Sequence, residues 1–398
     1  MYQALYRKWR PMSFDDVVSQ PHITTTLKNQ IKSGKTAHAY LFTGSRGTGK
    51  TTCARIFAKA INCLDPHDGE PCLECEICKD ADNGTLSDII EIDAASNSKV
   101  DDIRELREGV VYTPERCKYK VYIIDEVHML SAGAFNALLK TMEEPPPHVK
   151  FILATTEIHK VPATIVSRCQ HFDFHRIRNE DIVSRLMYIA SQEGFTLHED
   201  AAGMIARLSD GGMRDALSLL DQCVAYENDI TLDVVSSASG IAGRDYLFDI
   251  LEKIAEKDAA GALRVVDKLY DMSKDLKVLA GELLAQMRNV MIIKTIDNNK
   301  DLITCLPDEY ERLKALAERM KLDEILGDIN TLQECSERFA KSTSKRIELE
   351  MCIIKLCGAA QKAGATVQAV SGNAEITVLL NRITPVSYTH LRAHETAA

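Results

Sequence analysis

Through the first half of the chain, short apolar runs alternate with longer segments whose apolar residues recur every three or four positions. The short runs predict buried strands and the longer segments predict helices. Strands that alternate with helices usually pair in parallel, so this order predicts an α/β fold whose parallel sheet is covered on both faces. The predicted strands are 39–42, 88–92, 121–124, 151–154 and 171–174, and the predicted helices include 51–61, 100–109 and 131–143.

The pattern changes after this first domain, which we place at 1–175. Asn179 is a candidate cap for the next helix, and short amphipathic segments separated by glycines predict a small helical lid domain over 176–240. The stretch 241–358 is helical in pattern throughout, which predicts an all-α domain for packing or oligomerisation. Its apolar residues at helix-face spacing are Leu247, Ile250, Leu251 and Ile254, and later Ile347, Met351 and Ile354. We expect 359–398 to be a linker followed by a tail that is not native to the protein.

Composition limits the class of protein. The chain has 398 residues, of which 45% are hydrophobic, and a formal net charge of -10. No apolar stretch approaches the length of a membrane span, so we expect a soluble, cytoplasmic protein with no membrane partner. The net negative charge argues against a generally basic surface for nucleic acid, although local basic strips occur at 7–10 and around Lys99, Arg104 and Arg107.

One glycine-rich motif points to nucleotide binding. Gly44, Ser45, Arg46, Gly47, Thr48, Gly49, Lys50 and Thr51 form a complete G-x-x-x-x-G-K-T phosphate loop between a predicted strand and a predicted helix. Glycines let the backbone approach phosphate oxygens, and the helix start favours an anion. Lys50 is placed to contact the β- and γ-phosphates, and the Thr51 hydroxyl to ligate Mg²⁺. The alternative is an ordinary glycine-rich turn.

An acidic pair follows the predicted strand 121–124. Asp125 is a candidate for holding Mg²⁺, and Glu126 for polarising the attacking water. By itself such a pair is usually a solvated strand end. With a phosphate loop upstream, the tetrapeptide Asp125-Glu-Val-His128 is better interpreted as a Walker B motif.

Four of the twelve cysteines are clustered. Cys63, Cys72, Cys75 and Cys78 have the spacing C-x8-C-x2-C-x2-C, which predicts a structural zinc site with four thiolate ligands. An iron–sulfur cluster or a redox pair is the alternative, and His67 is a competing ligand. The other eight cysteines are scattered, and we expect them to be buried, reduced thiols.

Taken together, the motifs resemble a known family. The segment Tyr6-Arg-Lys-Trp-Arg-Pro11, the phosphate loop, the four-cysteine insertion, Asp125-Glu-Val-His128, Ala154-Thr-Thr156, Ser167-Arg-Cys169 and Gly212-Met-Arg214-Asp215 occur in that order. This order resembles the gamma/tau subunits of bacterial DNA polymerase III, which are AAA+ clamp-loader ATPases. The resemblance runs from the first residues to about residue 358.

The resemblance implies roles that spacing alone does not. Arg10, Pro11, Val17 and Val18 match the stretch that lines the adenine pocket, and Thr52 belongs to the phosphate-binding motif. Thr156 matches sensor 1, and Arg214 matches sensor 2 on the lid. Arg168 resembles an arginine finger that completes the neighbouring subunit's site. The alternative for Arg168 is a structural salt bridge.

The resemblance also implies a mechanism and partners. ATP, with Mg²⁺, would hold an assembly of this chain and other clamp-loader subunits open to a sliding clamp and primer–template DNA. Lys99 and Arg104 match positions that face the DNA backbone, although Asn97 stands where some relatives carry a basic residue. The chain would then be a subunit of a DNA-directed DNA polymerase, a nucleotidyltransferase, without a polymerase active site of its own.

Two departures and two competing classes remain. Ser19 replaces the glycine common before Gln20, and nothing resembles the polymerase- and helicase-tethering regions of longer family members. One competing class is another AAA+ motor, a helicase or remodeller. The other is a nucleotide-sensing scaffold without turnover, against which intact Lys50, Glu126 and Arg168 argue.

Overall fold

The computed structural model describes residues 3–96, 106, 108–240, 245–297, 299, 302–303, 305, 307–339 and 342–358. The chain divides into two compact units, Met1–Gly243 and Arg244–Ala398. No helix among these described residues is long and apolar enough to cross a membrane. The three-domain division from the sequence stays a prediction.

A five-stranded parallel sheet forms the centre of the first unit. Its strands are β1 Ala39–Gly44, β2 Ile89–Asp93, β3 Lys120–Asp125, β4 Val149–Thr155 and β5 Gln170–Phe174. Their order across the sheet is β2-β3-β4-β1-β5, and every pairing is parallel. The predicted parallel sheet is therefore confirmed, with each strand within about two residues of its expected limits.

Alternate residues of the strands enter two different cores. Tyr40 and Phe42 pack with Phe57 on one face, whereas Leu41 and Tyr122 pack with Phe135 on the other. Successive side chains of a strand point to opposite faces, so a sheet buried on both sides has nearly continuous apolar strands. This arrangement is the expected three-layer α/β sandwich.

Helices surround this sheet and continue beyond it. Their bounds are α1 Leu5–Lys8, α2 Pro21–Ser33, α3 Lys50–Asn62, α4 Glu76–Asn83, α5 Ala132–Glu143, α6 Ala163–Val166, α7 Asn179–Glu193, α8 Glu199–Leu208, α9 Met213–Tyr226 and α10 Leu232–Ala238. Single 3-10 turns lie at Val127–Met129 and Ile158–Lys160. Of the predicted helix 100–109, residues 106 and 108–109 are described, and they are helical.

Two details of the helical region differ from the sequence expectation. Asn179 is the first residue of α7, and the cap position belongs to Arg178, which makes no capping bond with its side chain. Two short strands, β6 Thr196–Leu197 and β7 Asp229–Ile230, pair in parallel between the helices. Strands of two residues carry too little periodicity to be recognised from a sequence.

The second unit is helical over its described residues, as predicted. Its helices are α11 Asp245–Ala255, α12 Ala259–Asp271, α13 Leu276–Thr295, α14 Pro307–Arg319, α15 Leu322–Arg338 and α16 Lys345–Leu356. Leu247, Ile250, Leu251 and Ile254 enter its core as expected.

The apolar stripe that the sequence pattern predicts to be buried on α16 does not face this core. Ile347 is 56% exposed and Met351 is 45% exposed, and Ile354 is exposed as well. The buried face of α16 consists instead of Leu349, Cys352, Ile353 and Leu356. The helix carries two apolar stripes, and the sequence pattern singled out the one that the core does not use.

Candidate nucleotide-binding site

The phosphate loop joins the end of β1 to the start of α3. Gly44, Gly47 and Gly49 all have positive φ, at 132°, 77° and 104°. A Cβ on Gly44 would also lie 2.2 Å from the Phe174 carbonyl oxygen. Side chains at these positions would strain the backbone or collide with β5, so the glycines are required by the loop itself.

The other loop residues support this conformation. Thr48 is buried and donates a hydrogen bond to the Ser45 carbonyl at 2.8 Å, while the side chain of Arg46 is exposed. Thr51 and Thr52 lie half-buried in the first turn of α3. The loop therefore keeps its shape through bonds of its own.

The start of α9 packs directly on the phosphate loop. A Cβ on Gly47 would lie 2.9 Å from the Gly212 Cα, and one on Gly212 would lie 3.1 Å from the Arg46 carbonyl oxygen. The Asp215 carboxylate lies at the same contact, 3.1 Å from that Gly212 position. Two glycines thus let the loop and α9 approach backbone to backbone.

Lys50 is buried at the base of the loop. Its Nζ donates hydrogen bonds of 2.7 Å to the carbonyl oxygens of Gly44 and Ser45. Burial lowers the pKa of Lys50, while the carboxylates of Glu126 and Asp125 act in the opposite direction. The Lys50 side chain is folded against the loop, and the carboxylates of Glu126 and Asp125 are near enough to favour its charged form.

Thr51 and Asp125 meet across the sheet edge. The Thr51 Oγ1 donates a hydrogen bond of 2.6 Å to the Asp125 Oδ2, and the other carboxylate oxygen accepts from the Glu126 backbone N–H at 2.9 Å. A hydroxyl and a carboxylate in contact are the oxygen ligands that Mg²⁺ takes in phosphate sites. The donor set therefore fits a magnesium ion.

Glu126 has a strained backbone. Its φ of 47° and ψ of 44° are left-handed, a conformation that is uncommon for residues other than glycine. The Thr156 Oγ1 donates to the Glu126 Oε2 at 3.1 Å. The turn after β3 thus aims the Glu126 carboxylate toward the residue that follows β4.

His128 belongs to the same cluster, although the sequence assigned it no role. Its Nδ1 lies 3.0 Å from the Thr155 Oγ1 and 3.4 Å from the Glu126 Oε2, and its Nε2 lies 3.6 Å from the Glu157 carboxylate. Its place in the Walker B tetrapeptide was the available signal. The imidazole lies between the ends of β3 and β4, beside the Glu126 carboxylate.

The N-terminal segment reaches this site. Burial lowers the pKa of Arg10, and the charges of Arg55 and Arg214 lower it further. The Asp125 carboxylate acts in the opposite direction. The Arg214 guanidinium lies over the Tyr6 ring, 5.2 Å from its centroid. Arg10 therefore lies within electrostatic reach of both Arg214 and the Walker B carboxylate.

The basic strip 7–10 is occupied by contacts within the chain. Lys8 pairs with Glu193 at 2.7 Å, and the Trp9 Nε1 donates to the same carboxylate at 2.7 Å. The Lys8 ammonium is the main cause that holds the pKa of Glu193 below its usual range. These bonds hold Lys8 and Trp9 against the end of α7, whereas Arg7 remains exposed.

Residues 11–20 continue along the first unit. Pro11, Val17 and Val18 are half-buried, and Val17 packs against the core beside α2 and α3. Ser19 has a φ of 61°, which explains why glycine suits this position, and its hydroxyl donates to Asp181. The left-handed conformation costs about 1 kcal/mol for a residue with a Cβ, and the bond to Asp181 offsets part of that cost.

Arg168 lies just after α6. Its guanidinium donates to the Thr164 carbonyl at 2.8 Å and pairs with Glu143 at 2.9 Å. Both groups remain partly exposed, with side-chain exposures of 35% and 52%. The groups that the Arg168 guanidinium contacts thus belong to α5 and α6, and not to the phosphate loop.

The four clustered cysteines converge on one point. All four sulfurs lie within 4.8 Å of one another, and the pairs Cys63–Cys75 and Cys72–Cys78 are 4.0 Å apart. A tetrahedral zinc–thiolate site with bonds of about 2.3 Å has sulfurs about 3.8 Å apart, so the group fits zinc. His67 is outside this group and lies 3.2 Å from Asp65.

Backbone N–H groups prepare the sulfurs for a cation. Cys72 N–H donates to the Cys63 sulfur, and Cys78 N–H donates to Cys75, which caps α4. Burial opposes ionisation, but the N–H groups of Leu64 and Cys78 lower the pKa of Cys75 to about 7, whereas burial raises the pKa of Cys63 and of Cys78. A thiolate is the form that binds a metal.

We predict that the purified protein contains about one zinc ion per chain, held by four thiolates. The double variant Cys75→Ser Cys78→Ser should lose the metal, because two of its four ligands are gone. Metal analysis by plasma mass spectrometry measures this directly, and the visible spectrum distinguishes zinc from an iron–sulfur cluster. A folded wild type without metal would refute the assignment.

None of the eight scattered cysteines, all of which lie within the described residues, forms a disulfide, and five of them are buried as expected. Cys53, Cys223, Cys335, Cys352 and Cys357 are buried, and Cys117, Cys169 and Cys305 are partly buried.

Comparison with known proteins identifies the family. The family profile described as DNA polymerase III, delta subunit, matches residues 19–178. The profile described as DNA polymerase III clamp loader subunit, ATPase lid domain, matches residues 181–229. The profile described as DNA polymerase III subunits gamma and tau domain III matches residues 230–368. The DNA polymerase III subunit gamma of Buchnera aphidicola subsp. Acyrthosiphon pisum is 35% identical over 360 residues, which are 90% of this chain and 99% of that protein. The chain belongs to the gamma/tau family of DNA polymerase III subunits.

Other members of the family are longer. The tau subunit of Bacillus subtilis is 44% identical over 370 residues, 93% of this chain and 66% of that protein. The tau/gamma subunit of Haemophilus influenzae is 39% identical over 89% of this chain and 51% of that protein. The chain thus spans between half and two-thirds of these two relatives.

Solved structures add little. The Thermotoga maritima RuvB Holliday junction branch migration motor covers 62% of this chain and 80% of its own at 20% identity, with a TM-score of 0.44. A likeness at that level says nothing about function. Membership of the gamma/tau family supports a place in DNA replication and in the clamp loader, but not a nucleotidyltransferase activity of this chain itself.

The candidate DNA contacts lie outside the described residues. Lys99, Arg104 and Arg107 belong to this group, as does Asn97. Their DNA role stays a prediction.

Proposed function

We propose that this chain is the ATP-hydrolysing motor subunit of a clamp loader, which uses ATP at subunit interfaces to load a sliding clamp onto primed DNA. The observation that carries this proposal is the convergence of Lys50, the Thr51–Asp125 pair and the Glu126–Thr156 pair at one edge of the sheet. Membership of the gamma/tau family supplies the context of replication.

The phosphate loop holds the triphosphate. Backbone N–H groups at the start of α3 would hold the phosphates, and Lys50 would exchange its loop carbonyls for phosphate oxygens. Magnesium, when bound by Thr51 and Asp125, neutralises charge on the phosphates. Glu126 accepts a proton from the attacking water, while Thr156 orients the Glu126 carboxylate.

The N-terminal segment and α9 complete the nucleotide site. Arg10, Pro11, Val17 and Val18 line the base, and Arg214 pairs with the phosphates. The position of Arg10 within electrostatic reach of both Arg214 and Asp125 supports this assignment. Because α9 rests on the phosphate loop, a change at the phosphates moves the lid.

Arg168 serves the neighbouring subunit. It is partly exposed and is held by α5 and α6 within its own chain, which supports a position at a subunit interface. A guanidinium there stabilises the charge of the transferring phosphoryl group. The working assembly therefore contains more than one subunit of this kind, together with other clamp-loader subunits.

We predict that Lys50→Ala weakens ATP binding by about 10- to 100-fold, the value of one or two charge-assisted hydrogen bonds. The control is Lys32→Ala, which removes an exposed lysine paired with the exposed Asp68. Calorimetric titration with Mg–ATP measures both. The complex that contains Lys50→Ala should also fail to load labelled sliding clamp onto primed circular DNA. Wild-type affinity in Lys50→Ala would contradict the assignment of the phosphate site.

The same assay separates the competing classes. A helicase or remodeller would separate strands or move along DNA without transferring the clamp. A scaffold without turnover would bind ATP and release no phosphate. The family and the complete set Lys50, Glu126 and Arg168 favour the clamp loader.

A further inference from the structure

One carboxylate joins the cysteine cluster to the N-terminal segment. The Glu70 Oε2 accepts the Phe14 backbone N–H at 2.8 Å, and its Oε1 accepts the Asp15 N–H at 3.1 Å. Lys28 of α2 pairs with the same carboxylate at 2.8 Å. The Glu70 side chain is 14% exposed, so these bonds are largely shielded from water.

A tight turn determines where Glu70 lies. His67 and Glu70 exchange backbone hydrogen bonds of 3.1 and 2.8 Å around Asp68 and Gly69, which both have positive φ. Two such residues are typical of the Asp-Gly type I′ turn. A Cβ on Gly69 would lie 2.5 Å from the Lys28 carbonyl oxygen, so the tip of the turn rests on α2.

The turn is also part of the cysteine cluster. It lies between Cys63 and Cys72, and the Cys72 N–H donates to the Cys63 sulfur at 3.3 Å. A metal bound by these sulfurs closes the loop that carries Glu70 and lowers the entropy that the loop must lose to hold its shape. The position of Glu70 thus depends on the same loop that would hold the metal.

The residues that Glu70 holds lead directly to the base-binding stretch. Phe14 is buried, and its carbonyl accepts the Val17 N–H at 3.1 Å. Farther along, the Gln20 Nε2 donates to the His175 carbonyl at 2.7 Å. The stretch from Arg10 to Val18 is therefore fastened in its middle by Glu70, and Gln20 fastens the chain just beyond it.

We infer that Glu70 is a positioning residue for the nucleotide base, and that it couples the metal-bound state of the cysteine cluster to nucleotide affinity. This inference rests on the proposed function, since it requires the base to lie against residues 10–18. Glu70 itself would touch neither the base nor the phosphates. It acts through the backbone of Phe14 and Asp15.

The test compares two ligands on the full chain. Glu70→Ala should bind Mg–ATP about tenfold more weakly, because two hydrogen bonds to a carboxylate are lost, while its affinity for inorganic tripolyphosphate stays at the wild-type value. Glu70→Gln should be intermediate, since one amide oxygen replaces two carboxylate oxygens. Hydrogen exchange at Phe14 and Asp15 should quicken in the same order.

A matched control lies in the same turn. Asp68→Asn removes a carboxylate that is 88% exposed and pairs with the exposed Lys32, and asparagine tolerates the left-handed conformation. This variant should bind both ligands like the wild type. Removing metal from the wild type with a chelator should weaken ATP binding as Glu70→Ala does, and should add nothing to the Glu70→Ala variant.

The outcomes separate the two proposals. If Glu70→Ala and Glu70→Gln bound ATP like the wild type, or lost ATP and tripolyphosphate equally, Glu70 would not position the base. If chelation left ATP affinity unchanged, the coupling to the metal would be overturned. A wild type that binds tripolyphosphate but shows no preference for ATP also overturns the inference, whereas one that binds neither ligand refutes the proposed function itself.

Discussion

Replacing Arg168 with alanine is expected to lower ATP turnover of the assembled complex by about 10³- to 10⁵-fold, the effect of removing an arginine finger. ATP affinity should stay near the wild-type value, because Arg168 contacts Thr164 and Glu143 rather than the phosphate loop of its own chain. Steady-state phosphate release with clamp and primed DNA, together with nucleotide titration, measures both quantities.

The ion pair with Glu143 provides the control. Glu143→Gln removes the partner of Arg168 within the chain and keeps the guanidinium. Partly exposed ion pairs contribute little to stability, so this variant should keep most of its turnover. If Arg168 were only a structural partner of Glu143, the two variants would behave alike. Equal losses in both would reject the arginine-finger assignment.

Replacing Glu126 with glutamine is expected to lower the rate of hydrolysis by about 10²- to 10⁴-fold, the contribution of a general base. ATP binding should remain, since the amide oxygen still accepts from Thr156 and the phosphate loop is unchanged. The complex should therefore accumulate in a loaded state with intact ATP. Single-turnover hydrolysis and clamp release from DNA are the measurements.

Glu115→Gln is the matched control for this variant. The Glu115 carboxylate accepts from Ser87 just before β2, at the amino ends of the strands, which is the sheet edge opposite the phosphate loop. It should hydrolyse ATP like the wild type. Normal turnover in Glu126→Gln would mean that another group activates the water.

The central sheet could be predicted because its signal is local. Each strand is a short apolar run, and the phosphate loop and the Asp125-Glu126 pair follow β1 and β3 at the carboxyl edge where parallel strands end. The cysteine cluster was equally accessible, since its spacing alone brings the thiols together. In contrast, β6 and β7 contain two residues each and exist through their pairing.

The second unit shows where pattern fails. In α16 the residues Ile347 and Met351 have the spacing of a buried face, as do Leu349 and Ile353. Periodicity shows that an apolar stripe exists, but it does not say which neighbour will cover it. Packing in the second unit buries only the stripe that contains Leu349 and Ile353.

The amino-acid sequence alone was enough to predict the five strands of the central sheet, the phosphate loop and the metal-type spacing of the cysteines, because these follow from residues close together in the chain. The contacts of Thr51 with Asp125, of His128 with Glu126 and of Glu70 with the Phe14 backbone became visible only in the folded chain. Such contacts join residues on different elements. They arise from how the elements pack, and local periodicity contains no information about that packing.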